Sequence, residues 1–186
     1  MKFMTTGSIR FLLRSDLQKL SLPRIHSKGF KLWLKLLSPR FLPVLFIRLS
    51  CSLYKRKLTR PFAVIPSLFN GILFGLEVTP RCKIGKGLYL PHTFGTVIGA
   101  SQIGDDVTIF QGVTLGAKFA DIIYTEESRP VIGDRVIIGA GAKVLGSLII
   151  GDDCVIAANS LVIQSVPNNS FMIGVPAMLK NGKKDE

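Results

Sequence analysis

From residue 78 onward, branched aliphatic residues recur in steps of six: Val78, Ile84 and Leu90, then Val97, Ile103, Ile109 and Leu115. After an interruption the steps resume at Val131 or Ile132, Ile137 and Val144, and run on through Ile150, Ile156 and Val162. A small residue follows many of them, as at Gly85, Gly104, Gly116, Gly133, Gly139, Gly151 and Ala157. This period fits neither an α-helix nor a lone alternating strand. It predicts a prism with three short strands per turn of about 18 residues, one aliphatic per strand filling a corner of the interior. The small residue lets the backbone turn without a Cβ clash. The predicted fold is an all-β solenoid, a left-handed parallel β-helix, over residues 76–166.

The register breaks twice. One residue is gained between Leu90 and Val97, at Pro91-His92-Thr93-Phe94-Gly95. Residues 117–130, from Ala117 to Pro130, cannot continue the prism and are predicted to be ejected as a loop, where solenoids carry specificity. Residues 167–186 read as a proline-bent cap and tail.

Residues 1–75 follow another pattern and predict a basic, amphipathic helical region. Lys28, Lys31 and Lys35 share one helical face, opposite Phe30, Trp33, Leu34 and Leu37. Ser38-Pro39 is read as the N-cap and first turn of a second helix through Tyr54, closed by Lys55-Arg56-Lys57.

Charge sharpens the division. Residues 1–60 hold 14 basic residues and one acid, Asp16, whereas residues 61–186 hold 10 basic and 11 acidic residues. Basic, apolar, aromatic-bearing helices suit the headgroup region of an anionic membrane, so peripheral membrane contact through residues 28–60 is expected. Nucleic acid is not expected as a partner, because the apolar content is high and no binding motif is present. Arg14 and Asp16 break any secretory h-region, and the run Phe41–Tyr54 is shorter than the roughly 20 residues that span a bilayer. Cys51, Cys82 and Cys154 lie far apart and outside metal-ligand spacing, so they read as buried small hydrophobes, with no metal site. A cytoplasmic location at the inner membrane face is expected.

Four ordered segments carry a resemblance: LPHTFGTVIGA (90–100), IGDDVTIFQGVTLGA (103–117), IGDRVIIGAGAKVLG (132–146) and the VPNN…GVPA tail. Together they resemble the serine acetyltransferase branch of hexapeptide-repeat acyltransferases. The resemblance implies acetyl transfer from acetyl-CoA to a hydroxyl, in a homotrimer with active sites between neighbouring prisms. It implies His92 as the catalytic histidine, although Pro91 stands where that branch has Asp. It places the orienting carboxylate on Glu77 and puts Arg129 at the position of a second histidine that helps to hold serine. Backbone N–H groups of Gly116 and Ala117 are the implied oxyanion donors. Ala140 and Ala158 are the implied lining of the CoA groove, with Pro176 of the cap beside it. Lys143 and Lys180 are candidates to meet the CoA phosphates, or are plain solvated corner charges.

Chemistry alone favours the same histidine. An alcohol attacking a thioester must lose a proton, and imidazole accepts one near neutrality. The chain has two histidines: His26, read as a surface residue, and His92, at the distorted corner. Nothing marks Cys82 as an activated nucleophile. The Pro91 and Arg129 departures and the basic front end lead to the expectation of a surface-polysaccharide O-acetyltransferase of colanic acid or capsule type. Its acceptor would be a glycan or lipid-linked glycan, contacted by Glu126, Glu127 and Arg129. The alternatives are a serine O-acetyltransferase of cysteine synthesis and a non-catalytic trimeric scaffold. Against the serine enzyme, the tail Asn181–Glu186 lacks the terminal Ile by which that branch docks its sulfhydrylase partner.

Overall fold

The computed structural model describes residues 7–20, 37–119 and 124–180. Helix α1 (Ile9–Lys19) starts at Ser8, whose hydroxyl accepts the Phe11 N–H. Helix α2 (Leu42–Tyr54) opens with Pro43 in its first turn, where the missing N–H is harmless. Ser38 caps an isolated turn upstream instead, accepting the Arg40 N–H on its hydroxyl and the Phe41 N–H on its carbonyl. The expected helix start at Ser38-Pro39 is therefore corrected to Leu42. The helix expected around Lys28, Lys31 and Lys35, and His26, lie outside the described residues. A 3-10 turn (Arg60–Ala63) leads into α3 (Val64–Phe74). Gly75 ends α3 in the left-handed region at φ +56°, and a Cβ there would lie 2.8 Å from the Phe94 ring.

The prism follows. Its first face stacks β1 (Leu76–Val78), β3 (Thr96–Ile98), β6 (Thr114–Gly116), β9 (Lys143–Leu145) and β12 (Leu161–Val162). The second stacks β2 (Lys83–Ile84), β4 (Gln102–Ile103), β7 (Val131–Ile132) and β10 (Ile149–Ile150). The third stacks β5 (Thr108–Ile109), β8 (Ile137–Ile138), β11 (Val155–Ile156) and β13 (Phe171–Gly174), with β14 (Ala177–Leu179) antiparallel at its end. All other pairings are parallel. This is the left-handed parallel β-helix with an N-terminal helical region.

Leu90, Ile103, Ile109, Leu115, Val144, Ile150, Ile156 and Val162 are fully or nearly fully buried, as the six-step pattern predicts. At two adjacent pairs the interior member is the other one. Val97 and Ile137 face outward, 37% and 40% exposed, while Ile98 and Ile138 are wholly buried. In the first coil Val78 pairs with the buried Ile98 and packs half-buried against the same core, with Leu76 buried beside it; at the 131/132 pair it is Ile132 that points in. The edge between the second and third faces carries a ladder of side chains. Asp134 Oδ1 accepts the Asp105 N–H at 2.7 Å, Asp152 Oδ1 the Asp134 N–H at 2.8 Å, and Asn168 Oδ1 the Asp152 N–H at 2.9 Å. Each coil thereby satisfies a backbone donor of the coil below it.

The helices are fastened to the first coil by a buried ion pair. Asp16 is 1% exposed, and Arg48 of α2 donates to both of its oxygens, Nε at 2.8 Å and Nη2 at 3.0 Å. The Leu88 N–H also donates to Asp16 Oδ1, at 3.0 Å, and Arg48 donates onward to the carbonyls of Ile84 and Gly85. Val44 and Ile47 of α2 join the same apolar core as Leu76 and Leu88. Thus α2 faces the prism with an arginine and its main apolar side chains, and within the expected membrane segment 28–60 Arg48 is turned inward. Among the described residues no helix is long and apolar enough to cross a membrane.

Removing one member of a buried pair strands the other. Arg48→Met is therefore expected to cost about 3–5 kcal/mol in urea unfolding. Adding Asp16→Leu to it should recover part of that loss; a double variant less stable than Arg48→Met would show that the pair does not act as a unit.

Candidate active site

His92 stands on the edge between the third and first faces. The corner that carries it is held from both sides, by the Gly95 N–H on the Gly75 carbonyl at 2.9 Å and the Gly112 N–H on the Phe94 carbonyl at 3.0 Å. The added residue is thus absorbed by pushing the corner outward, and the His92 side chain is exposed. It lines a cavity of about 500 Å³ with Pro39, Arg40, Phe74, Phe94 and Gln111. His92 makes no side-chain hydrogen bond among the described residues. Gln111 sits on the same edge one coil further on; its Oε1 is buried with no hydrogen-bond partner among the described residues. Sequence reasoning missed Gln111, whose only signal was its place on the edge that carries His92.

Glu77 lies on β1 with its side chain exposed, opposite Val97 of the next coil. It makes no hydrogen bond to His92. Ala140 and Ala158 continue the His92 edge in the later coils. The Asn159 N–H donates to the Ala140 carbonyl at 2.8 Å, and a Cβ at Gly139 would lie 2.6 Å from the Ala158 nitrogen. Small residues let these coils stack closely along the edge. Pro176 lies in the exposed turn between β13 and β14, where the Gly174 N–H reaches Ser160 Oγ on the same edge. Lys180 is exposed beyond β14, while the ammonium of Lys143 is bonded to the Gly112 carbonyl. Gly116 ends β6 with open space where a Cβ would be, and Ala117 starts the ejected loop.

That loop leaves a different edge, between the first and second faces. Glu126 and Glu127 lie on its 3-10 turn (Glu126–Ser128) and line a second cavity of about 750 Å³, shared with the ends of α1 and α2. Arg129 donates from Nη1 to the Gly99 carbonyl at 2.8 Å and lies over the Tyr124 ring at 4.1 Å. A Cβ at Gly99 would lie 2.6 Å from Arg129 Nη1, so a side chain there would displace the guanidinium from its present place. Within one chain, then, Glu126, Glu127 and Arg129 are not brought together with His92.

The cysteines take no part. Burial pushes the Cys51 thiol up to about 11 and the Cys82 thiol well above its ordinary value. A raised pKa leaves the inert protonated thiol at neutral pH.

A solenoid of hexapeptide coils with an exposed corner histidine and an edge of small residues is the pattern of a hexapeptide-repeat acyltransferase. The profile of the bacterial transferase hexapeptide family (six repeats) matches residues 129–164. Serine acetyltransferase of Helicobacter pylori (strain J99) is 41% identical over 143 residues, covering 76% of this chain and 81% of the relative. Among solved structures, Neisseria gonorrhoeae serine acetyltransferase in complex with serine aligns with a TM-score of 0.76 at 30% identity, covering 92% of this chain and 69% of that one. A serine acetyltransferase in complex with CoA gives a TM-score of 0.78 at 28% identity, with coverage of 92% and 69%. The chain belongs to the serine acetyltransferase family and is an acetyl-CoA-dependent O-acetyltransferase.

These relatives overturn the expectation of polysaccharide O-acetylation. They are serine acetyltransferases, and they lend no support to a glycan acceptor or to membrane contact. The inference from Pro91 and Arg129 to a lost serine site went too far, because a guanidinium pairs with a carboxylate at least as well as an imidazolium does.

The thiol shifts give a pH prediction. At pH 8 the native protein should react with a thiol-specific disulfide reagent far more slowly than the urea-unfolded chain. The rate should rise only as pH approaches the Cys51 value of about 11. Rapid native labelling of Cys82 at pH 8 would contradict its burial.

Proposed function

We propose that this chain transfers the acetyl group of acetyl-CoA to the side-chain hydroxyl of L-serine. The observation that carries the reading is the alignment with the Helicobacter pylori serine acetyltransferase, which takes in most of both chains and includes the His92 edge. In this reading, His92 takes the serine hydroxyl proton as the oxygen attacks the thioester carbon. The tetrahedral intermediate forms with its oxyanion toward the backbone N–H groups at Gly116 and Ala117. It collapses by expelling the CoA thiolate, which takes the proton back from the imidazolium. Glu77 steadies the imidazolium, and Gln111 Oε1 accepts a hydrogen bond from the serine ammonium. Acetyl-CoA lies along the Ala140–Ala158 groove.

Arg129 and the ejected loop complete the site from a second copy of the chain. His92 and the loop leave different edges of the prism and line separate cavities, so one chain cannot close both around a single serine. The outer side of α3 supports such assembly, with Leu68 and Ile72 left 59% and 70% exposed on a single chain. The closed form that suits three-faced prisms is a homotrimer.

Two experiments test this. Serine-dependent release of CoA thiol should fall by at least about a hundredfold in His92→Ala, the usual minimum for losing a general base. Co-expressing His92→Ala with Arg129→Ala should restore part of the activity, since some mixed sites would pair an intact histidine with an intact loop. No recovery in demonstrably mixed oligomers would overturn the shared site. Serine-independent turnover would overturn the acceptor.

A further inference from the structure

Three arginines and two tyrosines stack in one row across the second cavity. The Arg60 guanidinium lies 4.6 Å from the Tyr54 ring centre, and Arg81 lies 5.9 Å from Tyr54 on one side and 4.8 Å from Tyr124 on the other. Arg129 closes the row, 4.1 Å from the Tyr124 ring. The members come from three separate places. Tyr54 and Arg60 belong to the end of α2 and the turn after it, Arg81 to the first-coil corner, and Tyr124 and Arg129 to the ejected loop.

We propose that this guanidinium–aromatic ladder positions the ejected loop for acceptor binding, with Tyr54 and Arg81 as positioning residues that touch no part of the His92 cavity. The proposal rests on the reading that the loop holds the acceptor. Three features support it. The described loop residues 124–127 line the cavity of about 750 Å³, so contacts that tie them to α2 must span that space. Other links from loop to prism include the exposed Lys83–Glu126 pair, the Arg129 bond to the Gly99 carbonyl and, at the loop's end, the bonds that the Ser101 N–H and hydroxyl donate to the Pro130 carbonyl. Exposed pairs hold weakly, whereas planar stacking fixes both distance and orientation. Finally, Arg60 and Arg81 have no carboxylate partner among the described residues; Arg60 is held by the Tyr54 ring and carbonyl together, and Arg81 lies between the two tyrosine rings. Through this row, the position of α2 is passed to Arg129.

The test compares Tyr54→Leu and Arg81→Met with the conservative Tyr54→Phe, in the full-length enzyme. Two readouts are used: steady-state kinetics with L-serine and acetyl-CoA, and hydrogen–deuterium exchange across residues 117–130. Losing ring or guanidinium should raise the KM for serine by about tenfold, the scale of a partly shielded cation–π contact. The KM for acetyl-CoA and kcat should change by less than about twofold, because the groove and His92 are untouched. Loop exchange should accelerate in both variants, and Tyr54→Phe, which keeps the ring, should match the wild type. Unchanged loop exchange in both disrupting variants would overturn the ladder, and so would equal damage from Tyr54→Phe and Tyr54→Leu. Faster exchange with an unchanged serine KM would instead overturn the acceptor role of the loop, so the two failures are distinguishable. Arg81 is exposed, so Arg81→Met keeps the test valid should Tyr54→Leu misfold.

Discussion

The contact on which the molecule's geometry depends is the buried pairing of Asp16 with Arg48. It is costly in principle, since two charges leave water, and its remaining lone pairs and protons must be met by other groups. Here they are met by the Leu88 N–H and by the carbonyls of Ile84 and Gly85. One polar knot therefore joins α1, α2 and the first coil, and fixes how far α2 is rotated and where it ends. The position of Tyr54 follows from that, and with it the wall of the larger cavity. A second link, from Lys19 at the end of α1 to Asp106, ties the same helix to the next coil. Helices α1 and α2 thus cap the first coil of the prism.

The functional surface uses the prism differently along its edges. The edge with Gly139, Ala140 and Ala158 is stripped of bulk and suits a long, thin ligand held by backbone groups. The edge between the first and second faces carries the one large insertion, and there selectivity can vary without disturbing the stacked core. His92 sits where a small register fault raises a side chain off the first of these edges. Such a division explains why replacement of single residues, Pro91 or Arg129, gave a poor guide to the acceptor. The groove and the corner persist as a unit, while individual contacts are exchangeable among groups of similar chemistry.

The prism was legible because its period is imposed by a physical repeat, with one interior place per short strand. At Val97-Ile98 and Ile137-Ile138 hydropathy could not choose between adjacent aliphatics. The following glycine could have chosen, since Gly99 and Gly139 come directly after the buried members of each pair. The histidine was legible from its corner. The ladder of Tyr54, Arg81 and Tyr124 was not, because its members are distant in sequence and follow no period. The inward turn of Arg48 was hidden for a related reason. In a segment crowded with cations, nothing local distinguishes the one that will meet the only acid nearby.

The reversal of direction at β14 governs what the molecule can do at its far end. A stack of parallel strands has no intrinsic length, and its last strand offers the same bare amide edge to any matching chain. On the third face that edge is occupied by a strand running backward, bound through Met172, Ile173 and Gly174 to Leu179, Met178 and Ala177. A further parallel strand could not add in register there. At the near end, helices take the place of a strand. The last parallel strand of the third face is thereby covered, and growth of that face in the parallel sense stops with the chain's own turn.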